Sequence, residues 1–126
     1  MKTIAISDIH SHPKTFIALL DRISLNKNDQ LYLLGDYINR GPNAIGVLDA
    51  ILELRAAGYK VTTLLGNHDN NLLVACDNGQ RTLHNKYYTF LKSCLLWVES
   101  GGFVFVHAGF NLSIENPETD KKAMLE

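Results

Sequence analysis

Three short apolar runs, each followed by a polar turn and a stripe of apolar residues at helical spacing, set the plan of the chain. Thr3 to Ile6, Leu31 to Leu34 and Val61 to Leu65 are continuous and partly β-branched, the pattern of strands covered on both faces. After the first run Pro13 suits the opening turn of a helix, and Phe16, Leu19, Leu20 and Ile23 recur at i, i+3, i+4 and i+7, predicting its inward face. Asn26 to Gln30 is polar and reads as a loop. After the second run Asn43 can cap a helix with Ala44, Val47, Leu48 and Ile51 facing inward and Gly58 as its stop, since asparagine suits an N-terminus and glycine a C-terminus. Repeated strand, loop and helix units predict an α/β layered fold with parallel strands.

From Asn70 the pattern changes. Leu72, Leu73 and Cys76 predict a short helix ending near Asn78-Gly79, and Tyr87, Tyr88, Leu91 and Leu95 a second apolar stripe. Leu96 to Glu99 and Phe103 to Val106 flank Ser100-Gly101-Gly102, which predicts a hairpin. The polar tail from Asn111 carries at most a turn or two of helix from Thr119, and Leu125-Glu126 can be read as a cloning remnant.

The total of 126 residues is expected to form one domain, residues 1–126, because a second core would not fit. A net charge of −1, with Lys121-Lys122 as the longest basic run, argues against nucleic acid or an anionic membrane as partner. No stretch has transmembrane length. The opening apolar run is too short for a signal peptide, and Cys76 and Cys94 form no C-x-x-C pair, so reduced, buried thiols and a cytoplasmic location are expected.

The chemistry lies where the strands stop. Asp8 and His10 follow the first run, Gly35-Asp36 and Arg40-Gly41 the second, Asn67 and His68 the third, and His107 follows Phe103 to Val106. Two residues apart in an extended stretch, Asp8 and His10 would point the same way and share one divalent ion. Asp36 has two oxygens and can bridge two ions, with Asn67 and His107 offered to the second. Two such ions clamp a phosphoryl oxygen and activate water near neutral pH. Arg40 suits non-bridging phosphate oxygens, and His68 can protonate a leaving alkoxide. Taken singly, each has a plainer reading: Asp8 and His10 as a capping pair, Asp36 and Arg40 as a turn salt bridge, His107 as a core histidine. His12 and His84 stand outside any motif and read as surface residues, and Tyr87, Tyr88 and Trp97 read as core.

Asp8-x-His10, Gly35-Asp36-x-x-x-Arg40-Gly41, Gly66-Asn67-His68-Asp69 and His107-Ala108-Gly109 together resemble the ordered motif set of the calcineurin-like metallophosphoesterases. The resemblance is closest to the phosphoprotein phosphatase branch, which includes bacterial serine/threonine phosphatases and symmetrical diadenosine tetraphosphate hydrolases. It implies a β-sandwich flanked by helices, of which this chain would hold the N-terminal half to two-thirds. It also implies two divalent ions (manganese, iron or zinc), with Asp8 and His10 on the first, Asp36 bridging, and Asn67 and His107 on the second. Arg40 and Asn67 would bind the phosphorylated substrate, and His68, with Arg40, would serve catalysis.

The activity implied is hydrolysis of phosphomonoesters, most like a serine/threonine protein phosphatase. Three departures leave two alternatives open. Asn39 stands where the protein phosphatases carry an aspartate behind the catalytic histidine, and Leu65 where they carry an arginine. With Asp69 these lean toward dinucleotide polyphosphate hydrolysis, although Ile45 to Lys60 looks more like the bacterial protein phosphatases. No histidine follows His107, where the family has a last metal-binding one and further strands. A truncated, non-catalytic relative that binds a metal or a partner is the other alternative. Missing strands would bare apolar surface, so a homo-oligomer covering them is expected.

Overall fold

The computed structural model describes Met1–Glu126. Three parallel strands, β1 (Thr3–Ile6), β2 (Gln30–Leu33) and β3 (Lys60–Thr63), form one sheet in the order β1-β2-β3. In register, Ile4 lies beside Leu31 and Leu31 beside Val61, and Ile6 beside Leu33 and Leu33 beside Thr63. Helices α1 (Pro13–Arg22) and α2 (Ala44–Ala56) complete the crossovers, and Phe16, Leu20, Val47, Leu48 and Ile51 bury against Leu31 and Leu33 in one core. Parallel neighbours need such crossovers, which is why helix and strand patterns alternate here. The predicted caps form: Pro13 opens α1, and the Asn43 side chain accepts the Gly46 N–H at 2.8 Å.

The second half adds α3 (Asn67–Asp77), α4 (Asn85–Ser93), the antiparallel hairpin β4 (Trp97–Ser100) and β5 (Phe103–Val106), and a final short helix α5 (Lys121–Leu125). The hairpin supplies the second layer. Phe105 stacks on Tyr32 with ring centroids 4.4 Å apart, so β2 is covered on both sides.

Four expectations are corrected. β1 is an edge strand, and its Thr3 and Ala5 face is exposed, whereas Tyr32 of the neighbouring β2 is covered by Phe105 of the hairpin. Leu19 of α1 is 39% exposed, since the core-facing stripe runs through Phe16, Leu20 and Ile23. Leu95 does not extend the α4 stripe. Phe90 takes that place, while the Leu95 backbone pairs with β3 through Leu95 N–H to Thr63 O at 3.0 Å and Leu65 N–H to Leu95 O at 2.8 Å. The tail is not polar and loose throughout, because Leu125 joins the core while Ala108 N–H donates to Met124 O at 2.9 Å.

At the far end of the sheet from the strand C-termini, the buried Asp29 accepts the Lys2 N–H at 2.7 Å and the Asn26 N–H at 3.0 Å. These donors, Asn26 foremost, hold its carboxyl down at about 2. Cys76 and Cys94 are unpaired and half-buried, and burial pushes the Cys94 thiol up to about 12, leaving it protonated and inert.

Candidate metal centre

The carboxyl ends of β1, β2 and β3 open into three loops that meet at Asp36. Ligands gather at the carboxyl edge of open parallel sheets, where the loops leaving the strands come together. Backbone bonds knit the first two loops: Asp8 N–H donates to Gly35 O (3.1 Å), His10 N–H to Asp36 O (3.0 Å) and Ser11 N–H to Tyr37 O (2.8 Å). Asp8, His10, Ser11, Asp36, Asn39 and Arg40 all have φ between 43° and 64°. Left-handed backbone costs non-glycine residues energy and marks a conformation imposed by its surroundings. This corrects the extended Asp8-x-His10 reading: the pair reaches one place through a coiled loop held by the Asp36 loop. The approach also requires glycine. A β-carbon on Gly66 would strike the Asp36 carboxylate, and one on Gly35 would lie 2.5 Å from the Gly66 nitrogen.

Around Asp36, which is 3% exposed, two groups of donors converge. Asp8, Asp36 and His107 form one and His10, Asp36 and His68 the other, with the ligand atoms of each group within 4.8 Å of one another. His107 Nε2 lies 3.3 Å and His10 Nε2 3.6 Å from Asp36 Oδ2, and His10 Nε2 lies 3.4 Å from Asp8 Oδ1. Each imidazole is anchored through its other nitrogen, His10 Nδ1–H donating to Ile38 O (2.9 Å) and His107 Nδ1–H to Leu34 O (2.7 Å). That fixes the tautomer that leaves an Nε2 lone pair facing the carboxylates, the arrangement of metal-binding histidines.

The Asn67 amide completes the cluster 3.1 Å from His107 Nε2. Against that lone pair its nitrogen is the proper neighbour, and placed so it also donates to Asp36 Oδ2 at 2.9 Å. Turned over, the same amide presents its oxygen as a fifth donor. Carboxylate, imidazole and amide oxygen suit a divalent transition ion, so the residues present fit a metal pair. Burial raises the Asp8 carboxyl, but the Ser7 hydroxyl, bonded at 2.7 Å, and then His107 and His10 carry it below its ordinary value.

Asn67 and His68 open α3, and the His68 N–H donates to Asp36 Oδ1 at 3.0 Å. The His68 ring stands edge-on to His10, with centroids 5.1 Å apart, and the Asn39 amide donates to its Nδ1 at 3.1 Å. Arg40 is exposed on the Asp36 loop and carries no internal ion pair. Leu65 is buried in the core.

Two supports escaped the sequence analysis. Asp69, fully buried, accepts N–H bonds from Asp36 (2.7 Å), Gly66 (3.0 Å) and Tyr37 (3.1 Å). Burial pushes its carboxyl up to about 6 despite those donors. The signal available was its position, the third residue of α3 after Gly66, where a capping carboxylate reaches back to the helix start. Tyr37 donates its one hydroxyl hydrogen chiefly to Leu64 O at 2.6 Å, with Leu33 O 3.0 Å away sharing it, and nothing in the sequence marks it.

The calcineurin-like phosphoesterase family model matches residues 1–126. The chain belongs to this family. It is 34% identical to a symmetrical bis(5'-nucleosyl)-tetraphosphatase of Nitrosomonas europaea over 94% of this chain and 49% of that protein. A symmetrical bis(5'-nucleosyl)-tetraphosphatase of Pseudomonas putida is 38% identical over 86% of this chain and 42% of its own length. A crystal structure attributed to a diadenosine tetraphosphatase superposes with a TM-score of 0.74 at 26% identity, covering 86% of this chain and 50% of that one. The chain thus spans about half the length of the curated relatives it matches.

Proposed function

We propose that this chain supplies the dinuclear metal centre of a hydrolase that cleaves a phosphoanhydride of a dinucleoside polyphosphate. The observation that carries the reading is the single buried carboxylate, Asp36, shared by two groups of metal-competent side chains whose imidazoles are already oriented. Asp8, His10, Asp36, Asn67 and His107 would hold two divalent ions, which when bound polarise a phosphoryl oxygen and make water a nucleophile. Arg40 and Asn67 bind non-bridging phosphate oxygens. His68 gives its proton to the leaving oxygen.

The substrate assignment departs from the protein-phosphatase reading on three grounds. The tetraphosphatase relatives named above favour the dinucleotide class. Asn39 supports His68 with an amide rather than a carboxylate, and the Leu65 position supplies no second cation. The test compares diadenosine tetraphosphate with a phosphoserine peptide under manganese. The dinucleotide is expected to be turned over at least ~10-fold more efficiently in kcat/KM, because only it supplies a polyphosphate for Arg40 to grip. A preference for the peptide would restore the protein-phosphatase reading, and no turnover of either by folded protein would favour the non-catalytic relative.

We also infer a homo-oligomer. The accessible surface is 7246 Å², against roughly 6,700 Å² expected of a folded monomer of this mass. The hairpin exposes apolar side chains on both of its faces, Phe103 at 66% and Val104 at 51%. A second copy packed against the hairpin would bury part of this surface. Light scattering at micromolar concentration is expected to give at least the dimer mass, and a monodisperse monomer would refute the inference.

A further inference from the structure

We propose that Asp69 is a positioning residue that sets the Asp36 carboxylate for the metal pair; this rests on the metal reading of the site. Its own carboxylate supplies no ligand atom to either of the two donor groups. It accepts hydrogen bonds from the backbone on both sides of the Asp36 contact. Oδ2 takes the Asp36 N–H at 2.7 Å and the Gly66 N–H at 3.0 Å, and Oδ1 takes the Tyr37 N–H at 3.1 Å. One anion thereby ties the β2 loop to the first turn of α3. Asp36 in turn accepts the His68 N–H at 3.0 Å through Oδ1, so the two carboxylates bond reciprocally across the same pair of loops. The arrangement directs Asp36 Oδ2 toward His10 and His107. With Asp36 in left-handed backbone at φ 57°, the turn needs an outside partner to hold it. Three N–H groups on one buried acceptor also leave no room for an amide: asparagine would offer one oxygen, and its NH2 would face one of the donors.

The test compares Asp69→Asn with Asp29→Asn. Both remove a buried carboxylate that accepts backbone N–H groups, and Asp29 lies at the opposite end of the sheet. Manganese binding is read by calorimetry and by the exchange-coupled EPR signal of a bridged pair. Amide hydrogen exchange is read on the metal-free proteins. Asp69→Asn is expected to bind manganese ~10–100-fold more weakly, the loss typical when a support behind a ligand is removed, and to lose the coupled signal. Its Asp36, Tyr37 and Gly66 amides should exchange faster while the β1–β2 ladder stays protected. Asp29→Asn should lower the melting temperature and leave manganese binding unchanged. Asp69→Glu should recover part of the binding, since it restores the anion.

Equal manganese binding by wild type and Asp69→Asn would overturn the proposal, as would unchanged exchange at the three amides. If the wild type binds no manganese, the metal reading of the site fails by itself. The exchange data would still decide whether Asp69 holds the Asp36 turn.

Discussion

Replacing Asp36 with asparagine is expected to abolish metal-dependent hydrolysis and to lower the manganese stoichiometry from two ions per chain to one or none. Asp36 alone belongs to both donor groups, with His107 Nε2 at 3.3 Å and His10 Nε2 at 3.6 Å from the same oxygen. An amide keeps the volume and can still accept the His68 N–H, so the fold should survive. It cannot offer two anionic oxygens to two cations. Metal stabilisation of a phosphoryl transition state is worth several kcal/mol, and each ~1.4 kcal/mol is a tenfold change in rate. The expected fall in kcat is therefore on the order of 10³ or more. Activity within tenfold of wild type, with both ions retained, would remove Asp36 from the centre of the mechanism. The measurement pairs steady-state hydrolysis with metal analysis of the same dialysed sample, so that loss of metal and loss of chemistry are read together.

The β/α plan was legible because its signals are local and redundant. A continuous apolar run, a cap such as Asn43 or Pro13, and a stripe at helical spacing each point to the same element. The strand ends were legible for a related reason: a carboxylate or histidine directly after a buried run has to face the sheet edge. What the sequence concealed depends on contacts between distant residues. Asp8 and His10 meet Asp36 through left-handed loop backbone, which no spacing rule for extended chain describes. Asp69 resembles any acidic residue in a first helical turn. Its partners, Asp36 and Tyr37, lie over thirty positions earlier, so its role appears only once β2 and α3 are side by side. The apolar content of β1 suggested cover on both faces, yet its position at the sheet edge leaves Thr3 and Ala5 exposed. Strand order is not encoded in the hydropathy of a single strand. Leu125 illustrates the converse, a residue in a polar tail that docks because α5 folds back onto Ala108.

The second large effect is expected at His68. With an alkyl phosphate, whose alkoxide needs a proton to leave, His68→Asn should lower kcat by ~10²–10⁴, the usual worth of a positioned general acid, while the manganese stoichiometry stays at that of the wild type. The ring stands beside His10 and Asp36, so two roles compete for it: proton donor to the leaving oxygen, or ligand in the His10–Asp36 group. The Asn39 amide holds the ring from Nδ1, 3.1 Å away, so Nε2 is the nitrogen left to meet either a leaving oxygen or an ion. A proton donor has to be the imidazolium, protonated on both nitrogens, and the Asn39 amide oxygen turned toward Nδ1 would accept its second N–H. A proton donor predicts a further result that a ligand does not. Loss of His68 should hurt poor leaving groups most, because a nitrophenolate departs without a proton and an alkoxide does not. The ratio of wild-type to mutant kcat should therefore be at least ~10-fold larger for an alkyl phosphate than for the nitrophenyl ester. A uniform loss across leaving groups, accompanied by a missing ion, would make His68 a ligand. The general acid would then have to be sought elsewhere at the mouth of the site.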